Sequence, residues 1–192
     1  VSRLLIVRHG QASFGAPDYD QLSPLGRRQA RLLGQYLAQS GLSFDQVYLG
    51  PKQRHHQTQE AVAAVYREGG LRWPEPIETP GLDEHCGAKV LKCALLQLSE
   101  QETELKAAAQ RVLTPHLASA DDYARIFQKV TRLWARGEIA SYGFESWREF
   151  RQRVKATLTE MFAHSTSERT VIAFTSAGAV SATVGYVLGL DD

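Results

Sequence analysis

Sulfur is scarce in this chain of 192 residues, which has two cysteines and one methionine. Cys86 and Cys93 are too few for a disulfide framework and lack the partner spacing of a zinc site, so free thiols in a reducing compartment are expected. Net charge is also missing. Twenty-two Lys and Arg against 21 Asp and Glu leave +1, which provides no broad field to recruit nucleic acid or an anionic membrane. Long apolar runs are absent too: Leu4 to Val7 falls far short of a bilayer span, and the first residues have neither the basic segment nor the hydrophobic stretch of a signal peptide. The expectation is a cytoplasmic protein with no nucleic-acid or membrane partner. No internal repeat or low-complexity tail interrupts the chain. With 43% hydrophobic residues there is enough apolar material for one substantial core, and a single domain over 1–192 is the expected organisation.

The order of elements reads strand, helix, strand, helix. Leu4-Leu5-Ile6-Val7 has the solid apolar pattern of a strand covered on both faces and stops at Arg8-His9-Gly10. Ser23-Pro24 then supplies an N-cap and a first-turn proline, after which Leu25, Leu32, Leu33, Tyr36 and Leu37 recur at helical spacing as far as Gly41. Gln46 to Leu49 predicts a second strand, and Lys52 to Arg67 a second helix with Ala61, Val62 and Val65 inward. Prolines 74, 76 and 80 predict an extended connection with an edge strand around Ile77. Residues 88–136 read as a helical insertion over the active site; its second half carries Asp121-Asp122 as a cap, then Tyr123, Ile126, Phe127, Val130 and Trp134 at three-to-four spacing. Glu145 to His164 predicts an amphipathic helix with Trp147, Phe150, Val154, Leu158 and Phe162 on one stripe. Thr170 to Phe174 predicts a buried strand, and Gly178 to Leu188 a closing helix. Alternation of this kind favours a three-layer α/β/α architecture with a mainly parallel sheet, since parallel neighbours require crossovers.

Ligands in open α/β sheets bind beyond the carboxyl ends of strands. Those ends carry Arg8-His9-Gly10, then Gly50 to Arg54, then Thr175-Ser176-Ala177-Gly178. Two arginines and a histidine on one sheet edge describe an anion site, because guanidinium groups hold phosphate oxygens through paired, planar hydrogen bonds. The Gly-containing helix start after the last strand adds backbone N–H groups and a positive dipole end. A histidine there can attack phosphorus with its unprotonated nitrogen and split phosphoryl transfer into two displacements, with the arginines neutralising charge and no metal or other cofactor called for. A small phosphorylated substrate is the expected partner, and a homodimer is compatible with the sequence.

These residues resemble the histidine phosphatase superfamily, branch 1, which contains cofactor-dependent phosphoglycerate mutases and small phosphatases. Val7-Arg8-His9-Gly10-Gln11 is similar to its signature, and Leu22 to Ala30 to the helix opening that follows. Gly50 to Thr58, with Arg54 three residues before Gln57-Thr58, resembles the second-arginine motif. Leu82-Asp83-Glu84-His85-Cys86-Gly87 resembles the Leu-x-Glu-x-x-Gly segment, and Glu145, Phe150 and Arg153 the helix before the last strand. The resemblance implies a phosphoglycerate mutase-like fold, His9 as phosphoryl acceptor, Arg8 and Arg54 as phosphate clamps, and Glu84 as general acid, with Asp83 next door as an alternative for that role. Protonating a departing alkoxide needs a carboxyl group held neutral. Gln11, Ser13, Ser176, Ala177 and Gly178 are the further substrate-binding positions implied. His55, His56, His116 and His164 read as exposed.

The sequence departs from the pattern in three places. Ser176 stands where most relatives carry a second histidine, and Gly15 where many place an asparagine. A serine hydroxyl carries no charge, and loss of one transition-state donor costs about 2.7–4 kcal/mol in other enzymes, so Ser176→His is expected to raise turnover. Backbone N–H groups near Ala177 and Gly178 would compensate in part. The chain also stops at Leu190-Asp191-Asp192, directly after a helix, where relatives usually continue through another strand, so a truncated C-terminus is one expectation. The leading expectation is a metal-independent phosphatase of reduced or specialised efficiency. Next comes a phospholigand-binding or regulatory protein that has lost turnover. A mutase ranks last, because Cys86, Ala88 and Val90 stand where the mutases place Tyr and basic residues.

Overall fold

The computed structural model describes residues 2–13, 18–97, 107, 110–111, 120–163 and 168–190. It divides into two compact units: residues 1–84 with 153–189, and residues 85–152 with 190–192.

The first unit is an α/β layer structure. Its strands are β1 (Arg3–Arg8), β2 (Gln46–Leu49), β3 (Pro76–Glu78) and β4 (Thr170–Thr175). They form one four-stranded sheet in the order β1-β4-β2-β3, and every pairing is parallel. The apolar run Val171 to Phe174 is buried throughout because β4 is central, with a paired strand on each side and helices over it. Leu4 to Val7, expected to be covered on both faces, is only half-buried, since β1 pairs with β4 alone among the described strands. Proline-rich β3 takes the opposite edge, where a missing N–H costs no ladder bond.

Helix α1 (Pro24–Gln39) opens as its sequence predicts: the Ser23 hydroxyl accepts from the Gly26 N–H at 3.0 Å, and Pro24 follows at N1. Its buried face is a surprise. Gly26, Ala30, Gly34 and Leu37 point inward, while Leu25, Leu32 and Tyr36 are exposed. Close approach explains the choice. A Cβ at Gly34 would lie 3.1 Å from the Val62 Cα and the Val65 Cβ of helix α2 (Gln53–Glu68), so only small residues let the two backbones pack this tightly. On α2, Val62, Ala63 and Tyr66 are buried and Ala61 and Val65 are half-buried. Leu37, Phe44, Val47, Leu49, Val62, Tyr66, Ile172 and Phe174 make the core beneath the sheet.

The second unit contains α3 (Gly87–Gln97) and α4 (Ala120–Ala135), and helix α5 (Trp147–Phe162) begins in it. Ile126, Val130 and Trp134 of α4 are buried at the spacing the sequence predicts, whereas Phe127 is exposed. Trp134 stacks on His85 with ring centroids 4.6 Å apart and donates its indole N–H to the Glu145 carbonyl at 3.1 Å. Cys86 and Cys93 are free thiols. Farther along, α5 continues into the first unit with Val154, Leu158 and Met161 buried, and helix α6 (Ala177–Val187) follows β4. The side chains of Asp121, Asp122 and Tyr123, together with Gly15, His116 and His164, lie outside the described residues. Among the described residues no helix is long and apolar enough to cross a membrane.

Candidate active site

The carboxyl ends of β1, β2 and β4 bring together three sequence motifs. His9 follows β1, and its backbone N–H donates to the Thr175 carbonyl at 2.8 Å, tying it to the end of β4. The Gly10 N–H donates to Thr58 Oγ1 at 3.1 Å, and Thr58 Oγ1 donates back to the Arg54 carbonyl at 2.7 Å. Gln57 Oε1 accepts from the Leu22 N–H at 2.8 Å. The Gln-Thr pair of the second-arginine motif therefore holds the histidine loop in place. Helix α1 closes against the same loop: a Cβ at Gly26 would lie 2.8 Å from the Gln11 backbone nitrogen, and one at Gly10 would lie 3.0 Å from the Gly26 Cα.

The His9 ring is set for one tautomer. Nδ1 lies 2.6 Å from the Gly10 carbonyl, which can only accept, so Nδ1 carries the proton. Nε2 is left with its lone pair and accepts from Arg54 Nε at 3.1 Å. Burial lowers the His9 pKa below its usual 6.5; Arg54 and Arg8 lower it further, against opposing effects from the Gly10 carbonyl and the Glu84 charge. A neutral imidazole with an available Nε2 is what a nucleophile at phosphorus requires.

Arg54 is buried on the first turn of α2 and gripped on several sides. Nη1 pairs with Asp20 Oδ1 at 2.7 Å, Nη2 lies 3.4 Å from Ser176 Oγ, and the Tyr19 ring stands 5.6 Å from the guanidinium carbon. Arg8, at the end of β1, is exposed and enters the site through its charge on His9.

Glu84 leaves the short 3-10 turn Pro80–Leu82. That turn is pinned from α5, where Arg153 Nη1 lies 2.9 Å from the Pro80 carbonyl and 3.0 Å from that of Gly81, and from β4, where Thr175 Oγ1 donates to the Leu82 carbonyl at 2.6 Å. So placed, Glu84 Oε2 accepts from the Gly178 N–H at the start of α6, at 3.1 Å. The neighbouring Asp83 is otherwise engaged: its Oδ1 accepts the Glu84 N–H at 2.7 Å and pairs with Lys52 Nζ at 3.4 Å.

Not every residue singled out in the sequence faces the histidine in the same way. Gln11 is exposed, and its Oε1 accepts from Ser23 Oγ at 2.7 Å, so its side chain serves the loop. Ser13 pairs through its backbone N–H with the Gln21 carbonyl at 2.7 Å. Ser176 is fully buried, Ala177 is exposed, and the Gly178 N–H is occupied by Glu84. The main correction concerns His55, expected to be exposed. It is 0% exposed, with Nε2 2.7 Å from Ser176 Oγ and its ring 5.8 Å from that of His9. His56 is exposed as expected and pairs with Glu78 at 2.8 Å. Consecutive histidines on a helix point about 100° apart, so one of the two could turn inward, but no sequence signal said which. Burial pushes the His55 pKa down to about 3, with Arg54 and His9 adding to the shift, so the ring is neutral. Among the described residues no group of His, Cys, Asp and Glu could hold a metal ion.

The chain matches the family model described as Histidine phosphatase superfamily (branch 1) over residues 4–136. Among solved structures, a mycobacterial glucosyl-3-phosphoglycerate phosphatase is similar at 18% identity with a TM-score of 0.62, covering 100% of this chain and 81% of that one. The same enzyme in complex with VO3 gives 18% identity and 0.63, over 100% and 84%. A phosphoglycerate mutase from Bacillus anthracis gives 17% and 0.62, over 95% and 78%. None of the curated proteins matches the chain.

Proposed function

Since the chain belongs to branch 1 of the histidine phosphatase superfamily, we propose that it is a phosphoric monoester hydrolase working through a phosphohistidine on His9. The observation that carries this reading is the His9 ring itself: Nδ1 is tied to the Gly10 carbonyl, and the Nε2 lone pair faces a buried guanidinium. Neighbours that include a phosphatase, one of them holding VO3, are in keeping with it.

In the first displacement His9 Nε2 attacks phosphorus, the P–O bond to the ester oxygen breaks, and Glu84 gives its proton to the departing alkoxide. Arg54 turns its donors from His9 and Asp20 to the phosphoryl oxygens, and exposed Arg8 adds a second positive charge. In the second displacement Glu84, now ionised, takes a proton from water, the hydroxide oxygen attacks the phosphohistidine, and orthophosphate leaves as the P–N bond breaks. Asp83, committed to Lys52 and a backbone N–H, is the weaker candidate for the acid.

Purified protein is expected to hydrolyse an aryl phosphate with chelator present, and His9→Ala to abolish that hydrolysis. Equal activity in the parent and in His9→Ala defeats the proposal. A second reading, phospholigand binding without turnover, is favoured by the burial of the uncharged Ser176 hydroxyl behind Arg54. It predicts orthophosphate binding with no product formed.

A further inference from the structure

Ser176 occupies the N-cap of α6, where a serine oxygen ordinarily accepts an N–H from the first turn; here it makes no such bond. The Gly178 N–H goes to Glu84 instead. The Ser176 hydroxyl is turned the other way, into a buried space between His55 Nε2 at 2.7 Å and Arg54 Nη2 at 3.4 Å.

Donors and acceptors around the Ser176 hydroxyl favour one placement of the protons. A guanidinium only donates, so Ser176 Oγ must present a lone pair to Arg54, and its single hydroxyl proton needs another acceptor. Ser176 is 0% exposed, so bulk solvent does not reach the hydroxyl. His55 Nε2 is the available partner, which puts the ring proton on Nδ1, against the backbone of Gly50. A Cβ at Gly50 would stand 2.5 Å from that nitrogen, so the ring fills space that only a glycine leaves open, and Nδ1 itself is buried without a formed hydrogen bond.

We propose that His55 is a positioning residue for the phosphate clamp: its imidazole takes the Ser176 hydroxyl proton, so that Ser176 Oγ presents a lone pair to Arg54 Nη2 and keeps the guanidinium beside His9, from where its other donors can pass to an arriving phosphoryl group. The neutrality that burial imposes on His55 suits this role, because an imidazolium would have no lone pair to accept with. The chain of contacts runs from His55 to Ser176, Arg54 and His9. It fixes the guanidinium on the side opposite Asp20, which holds Nη1. The proposal rests on the phosphatase reading for its consequence in catalysis, but not for its geometry.

Two measurements test it, and neither requires turnover. In 15N-labelled parent protein, the His55 imidazole is expected to show the tautomer protonated on Nδ1; a ring protonated on Nε2 overturns the assignment. Calorimetry with inorganic phosphate then compares His55→Phe, which keeps a ring but no acceptor, with His55→Gln, whose amide oxygen can take the hydroxyl proton. Losing a hydrogen bond to a charged partner corresponds to about a tenfold weaker affinity, expected for His55→Phe and largely recovered in His55→Gln. Parent-like phosphate affinity in folded His55→Phe, or no recovery in His55→Gln, overturns the proposal. If the parent binds phosphate but hydrolyses nothing, the phosphatase reading fails while these two results still decide the role of His55. Where aryl phosphate is hydrolysed, His55→Phe is expected to raise KM and lower kcat together, because Arg54 grips both the ester and the transition state.

Discussion

Placing a histidine at position 176 tests whether His55 already occupies the space that ring would need. From the sequence, Ser176→His should supply a missing phosphoryl donor. In the structure Ser176 is 0% exposed and its hydroxyl touches the equally buried His55 ring at 2.7 Å, so a second imidazole has nowhere to go. Overpacking of a filled interior costs about 1–3 kcal/mol, and Ser176→His alone is expected to lose stability and turnover by that route. His55→Ala alone removes a buried ring, at about 2–5 kcal/mol by analogy with large-to-small core substitutions, and strands the Ser176 hydroxyl as well. Combined, His55→Ala and Ser176→His exchange one buried ring for another with nearly constant volume. The double variant is expected within about 1.5 kcal/mol of the parent, far from the sum of the two single losses. Urea denaturation of the four proteins measures the coupling, and phosphate-ester hydrolysis should recover in the double variant above either single one. A double variant whose loss equals the sum of the singles, or a Ser176→His protein as stable as the parent, refutes the packing argument.

Two further outcomes follow from neighbouring features. Because His55 is held neutral in the folded protein, with its pKa near 3, while the unfolded chain binds its proton below about 6.5, stability should fall as pH drops through that window, by about 1.4 kcal/mol per pH unit from this group. Urea midpoints at pH 7 and pH 4.5 should differ less in His55→Gln than in the parent, and an identical pH dependence would contradict the burial of a neutral ring. Gly26→Ala should destabilise by at least about 1–3 kcal/mol and depress activity with it, since the new methyl meets the Gln11 backbone, which cannot rotate away; a thermal midpoint equal to the parent's would count against that close approach.

Much of the fold was legible in local patterns. Ser23-Pro24 marked the start of α1, the apolar runs marked β1 and β4, and the prolines around Ile77 marked an edge strand, because caps, strands and proline positions depend on a few adjacent residues. The buried face of α1 was not legible. Its leucines suggested an apolar stripe, but the contact with α2 and the histidine loop is set by how closely backbones approach, and glycine and alanine carry almost no hydropathy signal for that.

Motif order along the chain was enough to nominate His9, Arg54 and Glu84, since each follows an element whose end the pattern of alternation had already located. The family match and the fold agree with the resemblance that those motifs carry. What no reading of adjacent residues could decide was the fate of a residue shared between distant segments. His55 and Ser176 lie 121 positions apart in the chain and 2.7 Å apart in space. Arg153 reaches back more than 70 positions to brace the turn that carries Glu84. Burial, tautomer and hydrogen-bond partner are properties of the folded surroundings, and they appear only once strands distant in sequence lie side by side in one sheet.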